Sequence, residues 1–127
     1  MASTKNVLST YQIVTAGSMA ANITSTVTSI KYLDTVAFQL NIGSGATGTF
    51  DIQSSLDYVQ DSQGNVVVPG NWISVKSLFD SITNPAGSAS EQLVTSIRAL
   101  PLEWLRLIYT ASSGSGTLNA FITAKSI

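Results

Sequence analysis

Trp104-Leu105-Arg106-Leu107-Ile108-Tyr109-Thr110, then Ala111-Ser112-Ser113-Gly114-Ser115-Gly116, then Thr117-Leu118-Asn119-Ala120-Phe121-Ile122-Thr123-Ala124: the reading of this stretch decides the fold. Two runs rich in branched and aromatic residues flank a small, glycine-rich connector, the pattern of a β-hairpin closed by a short loop. In the first run Trp104, Arg106 and Ile108 point one way, and Leu105, Leu107 and Tyr109 the other. Both faces are largely apolar, which predicts a central strand covered on both sides. The second run places Leu118, Ala120, Ile122 and Ala124 on one face, with Asn119, Phe121, Thr123 and Lys125 opposite.

Upstream, the same period-2 signal recurs. Val36, Phe38, Leu40 and Ile42 alternate with Thr35, Ala37, Gln39 and Asn41. The connector Gly43-Ser44-Gly45-Ala46-Thr47-Gly48 follows, and Phe50, Ile52, Ser54, Leu56 and Tyr58 continue the alternation as the second half of a predicted hairpin. Asp61-Ser62-Gln63-Gly64-Asn65 is a turn by its composition. Val66-Val67-Val68 is a short strand ended by Pro69-Gly70. Residues 72–82 read as a short strand followed by an irregular or one-turn helical piece, residues 84–88 as a loop, and residues 93–100 as a strand stopped by Pro101. Near the start, residues 23–32 are threonine-rich and extended. Residues 7–16 alternate weakly, with Tyr11, Ile13 and Thr15 on one side, and their thin apolar content marks residues 1–16 as a candidate N-terminal arm. No period of solenoid length is present. Strands at this spacing, with turn signals between them, predict an all-β chain: one antiparallel β-sandwich domain over residues 1–127, of jelly-roll type. Its predicted core is Phe38, Leu40, Phe50, Ile52, Trp104, Ile108, Leu118 and Ile122.

The chain has 127 residues, no cysteine and no histidine. That length buries a core without disulfide staples. The missing residue types remove cysteine metal sites, the commonest zinc ligand and the commonest general base together. Charged residues make up 10% of the chain, six basic against seven acidic, well under the usual quarter. Arg98, Arg106 and four scattered lysines do not form the basic surface that displaces counterions from phosphates, so nucleic acid is not an expected partner. Serine and threonine, about a quarter of the sequence, supply the polar surface instead. Such a surface packs against proteins without stripping water from charges. No apolar run approaches the roughly 20 residues a membrane-spanning helix needs. Ser9, Thr10, Gln12 and Thr15 break the apolar run that a signal peptide requires. Asn22-Ile23-Thr24 matches a glycosylation acceptor, a short pattern read here as chance.

Candidate chemistry is sparse. Asp51 and Asp57 share one face of a strand, but six residues apart puts them roughly 20 Å from each other, beyond the separation of a glycosidase pair. Asp61 sits in a turn that has too few carboxylates for a calcium loop. Gly114-Ser115-Gly116 is a loop tip without a base to activate its serine. The connector at residues 43–48 lacks the Lys-Ser/Thr of a phosphate loop. Catalytic, cofactor and metal residues are therefore all expected to be absent, and the chain is not expected to be an enzyme. Among the aromatics, Trp104 reads as core, whereas Trp72, after Pro-Gly-Asn, is the better surface candidate, either a core plug or a contact residue. Trp72 and Tyr11 are the candidate partner contacts. Arg106 is expected at a strand end or paired with Glu91 or Glu103.

The segments Leu33-Asp34-Thr35-Val36-Ala37-Phe38-Gln39-Leu40, Gly48-Thr49-Phe50-Asp51-Ile52-Gln53-Ser54-Ser55, Gly70-Asn71-Trp72 and Trp104 to Thr110 with Gly114-Ser115-Gly116-Thr117-Leu118 together resemble small jelly-roll virion proteins of tailed bacteriophages, most of all capsid decoration or cement proteins. The resemblance spans roughly residues 33–125 and is structural in kind. It implies a protein made in the host cytoplasm and carried on the capsid surface, with no cofactor, membrane or small-molecule substrate. The implied partners are the major capsid protein and further copies of itself, as a dimer or trimer. The alternative is a tail- or fibre-associated module that binds a receptor or carbohydrate, since one fold serves many roles.

Overall fold

A computed structural model describes residues 7–126. The chain is an all-β, antiparallel sandwich. Its strands in order are β1 (Val7–Ser18), β2 (Ile23–Thr24), β3 (Thr28–Ser29), β4 (Thr35–Ile42), β5 (Ala46–Ser55), β6 (Val59–Gln60), β7 (Val66–Val68), β8 (Ile73–Ser74), β9 (Ser90–Thr95), β10 (Trp104–Gly114) and β11 (Thr117–Lys125), with a 3-10 turn at Lys76–Leu78. One sheet has the order β1-β11-β4-β9. The other has β2-β10-β5-β8, with β3 also paired to β10, and β6–β7 form a separate ribbon. Taking β2 and β3 as one position and setting the ribbon aside, the eight strand positions run 1-8-3-6 in the first sheet and 2-7-4-5 in the second.

Alternation places the core as the sequence predicts for β4, β5 and β11. Phe38, Leu40, Phe50, Ile52, Leu118 and Ile122 are all buried between the sheets. For β10 the buried set is Leu105, Leu107 and Tyr109, while Trp104 and Ile108 are half-buried on the outer face. The expectation that Trp104 and Ile108 lie in the core is thus corrected. Both sides of β10 are apolar, and facing residues on the opposite sheet select which side turns inward. Tyr109 meets the Phe50 ring at 5.3 Å and donates its hydroxyl to the Thr47 carbonyl at 2.9 Å, so its buried polar end is satisfied.

Neither predicted hairpin forms. β10 pairs with β5 while β11 pairs with β1 and β4, so the connector at residues 115–116 crosses from one sheet to the other. The β4–β5 connector does the same. Alternation reveals which residues of a strand turn inward but not which sheet holds the strand; here successive strands face each other across the core. The two crossings lie side by side, joined by Ser115 N–H donating to Gly45 O at 3.1 Å and Gly43 N–H to Thr117 O at 2.8 Å.

The candidate arm is also corrected over its described part. Residues 7–16 belong to β1, which pairs along β11 from Val7↔Lys125 to Ser18↔Thr117. Ile13 and Val14, neighbours in sequence, are both buried, which strict alternation forbids. Three register shifts run along β1; the one between Gln12 and Val14 turns both neighbours inward, and the other two leave Ser9–Thr10 and Thr15–Ala16 exposed. Asn119 Oδ1 holds this irregular strand by accepting from Ala16 N–H and Gln12 Nε2, both at 2.9 Å. Residues 1–6 of the expected arm lie outside the described residues.

β1 and the β2–β3 segment close one open side of the sandwich. Thr26 N–H donates to Ile13 O at 3.1 Å, and the Tyr11 and Thr28 hydroxyls are bonded to each other. Ser25 stands between the two short strands and exchanges bonds with Leu107: its N–H donates to Leu107 O at 2.9 Å, and its Oγ accepts from Leu107 N–H at 2.8 Å.

Candidate functional site

The outward face of the second sheet gathers the side chains best suited to contact. Trp104 and Arg106 project from β10, and Gln53 stands opposite Arg106 on β5. The chain leaves β5 through Leu56 and Asp57, and Tyr58 tucks back beneath the two tryptophans, 4.9 Å from the Trp104 ring and 5.5 Å from the Trp72 ring. Its hydroxyl donates to Gln60 Oε1 at 3.0 Å. Trp72 arrives on the loop that follows β7. Gly70 makes that approach feasible: its φ is +70°, and a Cβ there would lie 2.8 Å from both Ser55 Oγ and Tyr58 N, too close for any other residue.

Asp57 fastens the loop. Its carboxylate accepts from Ser55 Oγ at 2.7 Å, Asn71 N–H at 2.8 Å and Asn71 Nδ2 at 2.8 Å. The Asn71 backbone bond, then the Ser55 and Asn71 side-chain bonds, lower its pKa to about 2. Trp72 Nε1 donates to the Pro69 carbonyl at 3.0 Å. Its ring lies under the Arg106 guanidinium, 4.1 Å from the ring centroid, a cation–π contact. Arg106 Nε and Nη2 both donate to Gln53 Oε1, at 2.9 and 2.8 Å, and burial pushes the guanidinium pKa down. Arg106, the third residue of β10, lies near the strand end as expected, and is held by Gln53 and Trp72 rather than by Glu91 or Glu103.

The two candidate contacts fare differently. Trp72 is half-buried at the centre of this face, as part of a packed cluster rather than a free-standing ring. Tyr11 is half-buried on β1 with its hydroxyl bonded to Thr28, so it seals the sandwich seam. Asp51 and Asp57 are not brought together. Asp51 accepts from Ser74 Oγ at 2.6 Å and from Gln53 Nε2 at 3.5 Å. Asp61 accepts from the backbone N–H groups of Gln63 and Asn65, both at 2.9 Å, the side-chain-to-backbone bonding of a turn. Among the described residues no group of three acids is placed to hold a metal ion. At the β8 edge of the second sheet, on its core side, a cleft of about 350 Å³ opens, with Ser54, Leu56, Asp57, Asn71, Ile73 and Leu102 in its wall.

Sequence reading missed the joining of Trp72 to Arg106 and the role of Gln53. Trp104 and Arg106 at i and i+2 signal a shared face, but Gln53 enters only through the β5–β10 register. The exposure of Val66, Val67 and Val68 was equally hidden, because the β6–β7 ribbon stands outside both sheets. The chain matches no protein-family model, no curated protein and no solved structure.

The Asp57 contacts give an acid-stability signature. Its folded pKa of about 2 lies below the value of about 3.9 for an unfolded Asp. The stabilisation is therefore complete above about pH 4 and is lost as pH falls through about 2. Thermal melts across that interval should show the wild type losing stability more steeply than Asp57→Asn. Parallel curves would mean that Asp57 does not hold the Asn71 loop.

Proposed function

We propose that this protein is a jelly-roll structural component of a bacteriophage virion, one that decorates and cements the capsid surface through contacts with the major capsid protein and with further copies of itself. The observation that carries the reading is the strand order. The order 1-8-3-6 facing 2-7-4-5 supports the reading, since it is the order two interlocked Greek keys of a jelly roll would have, an architecture used by viral capsid and lectin domains. Lectin and capsid roles share that fold, and the site supports the second reading. Ligand pockets are concave, whereas the Trp72–Arg106 cluster is assembled on the outside of a sheet. Tryptophan, tyrosine and arginine are the residues that anchor protein interfaces. A contact face of aromatic rings around one arginine suits a protein that works by adhesion and not by turnover.

Imaging the native particle tests this. The expected density is a sandwich on the outer surface of the head, against the capsid lattice. Density on the tail or a fibre would overturn the cement role and favour a receptor- or carbohydrate-binding module. In that case a glycan array should register binding that Trp72→Ala abolishes. Reproducible turnover in a hydrolase panel, lost in Asp51→Asn or Asp57→Asn, would overturn the non-enzymatic reading.

A further inference from the structure

Ser54 has a buried oxygen with nothing to bond. The residue is 5% exposed, and among the described residues its Oγ is the one buried side-chain oxygen or nitrogen without a hydrogen-bond partner. Buried polar groups are nearly always satisfied, so an exception needs a cause. The strand register shows where this side chain stands. Ser54 pairs with Leu105 on one side and with Ile73 on the other, and cross-strand partners share a face. Leu105 is fully buried, so that face is the core side of the second sheet. There Ser54 forms part of the wall of the cleft at the β8 edge, with Leu56, Ile73, Val75 and Leu102 around it. At about 350 Å³ the cleft is more than twice the roughly 150 Å³ that takes up benzene in an apolar cavity. A concave, mainly aliphatic space with a single polar group to fix orientation is the usual make-up of a small-molecule site.

Water suits this place poorly, because a buried water needs two to four polar partners. The other polar side chains of the wall, Ser55, Asp57 and Asn71, are bonded to one another, which leaves Ser54 Oγ alone among aliphatic groups. Turning that hydroxyl toward the cleft breaks no hydrogen bond, since it makes none, and a serine side chain has three staggered positions to choose among. Charge sets a second condition. Asp57 has a pKa of about 2 and is ionised at neutral pH, and no lysine or arginine among the described residues lines the cleft. An anion would be repelled there and left without a counter-charge. A cation would lose its water among aliphatic walls, while the Asp57 oxygens already accept three hydrogen bonds. We infer that the cleft binds a small uncharged molecule: an apolar body laid between Ile73, Val75 and Leu102, with one hydrogen-bonding oxygen held by Ser54. This site stands apart from the virion reading, which uses the opposite face of the same sheet.

Amide chemical shifts of the full chain, followed by NMR during titration with p-cresol, test the inference. p-Cresol is uncharged at neutral pH and carries one hydroxyl. In its place p-xylene has a methyl group and p-toluate a carboxylate. p-Cresol and p-xylene should both shift Ser54, Ile73 and Leu102 saturably, and p-toluate should not. Ser54→Ala should weaken p-cresol binding about tenfold, the scale of one hydrogen bond, and leave p-xylene binding unchanged. The variant should keep a native melting curve, because it deletes an oxygen that no protein group satisfies. Four results would each overturn the proposal: no saturable shift with p-cresol, as expected of a site that holds water only; shifts confined to other residues; p-toluate binding as tightly as p-cresol; or a Ser54→Ala effect that is absent or equal for p-cresol and p-xylene. Ile73→Trp tests the site without touching the buried serine, at a position that is 69% exposed. Its larger ring should fill the cleft and abolish the p-cresol shifts while the melting curve stays native, and unchanged p-cresol binding would overturn the proposal.

Discussion

Phe50→Ala is expected to cost about 3–5 kcal/mol in denaturant unfolding, the usual loss when a buried aromatic becomes a cavity. Phe50 is 1% exposed, packed against Tyr109 between the sheets, and nothing on the surface can collapse into its place. Trp104→Ala removes a larger side chain but from the outer face, where Trp104 is half-buried and rests on Tyr58. Water can enter that space, so its cost should be about 1–2 kcal/mol. The two measurements together test which side of β10 faces the core. Equal losses would mean that Trp104 is sealed from solvent and that the face assignment is wrong.

The second large effect is expected at Gly114. Its φ is +79°, and a Cβ built on it would lie 1.8 Å from the Gly45 carbonyl oxygen. That oxygen belongs to the other crossing connector. Gly114→Ala therefore forces the two crossings apart and should cost about 4 kcal/mol or more, in the range where strain and a backbone clash combine. Gly64→Ala is the control. Gly64 has a comparable φ of +86° but nothing within 4 Å of the added Cβ, so it pays only the left-handed penalty of about 1–2 kcal/mol. A Gly114→Ala protein as stable as Gly64→Ala would show that the connectors do not need their close contact.

These contrasts also mark where the sequence was legible. Strict alternation in residues 35–42, 50–54 and 118–124 was enough to place six core residues, because a period of two has only two faces to choose between. It failed on β10, where both faces are apolar, and on β1, where bulges make Ile13 and Val14 buried neighbours. It could not separate a hairpin from a crossing, since Gly114-Ser115-Gly116 serves either. The loop setting of Trp72 was legible from Pro69-Gly70-Asn71. Its partnership with Arg106 was not, because that depends on 33 intervening residues folding through β8, β9 and back to β10.

The pairing of Val7 with Lys125 has a mechanical meaning. β1 and β11 run antiparallel, so tension applied between these two residues enters the same end of both strands. It peels them apart one ladder bond after another instead of shearing all of them at once, and an edge strand such as β1 has no second neighbour in its sheet to hold it. Resistance beyond the ladder begins at the seam, where Tyr11 and Ile13 are bonded to the opposite sheet through Thr28 and Thr26. Load entering through the Trp72 face would instead press one sheet onto the other across a packed core that resists compression. The fold is thus soft to pulling at its ends and stiff to pressure on its broad face.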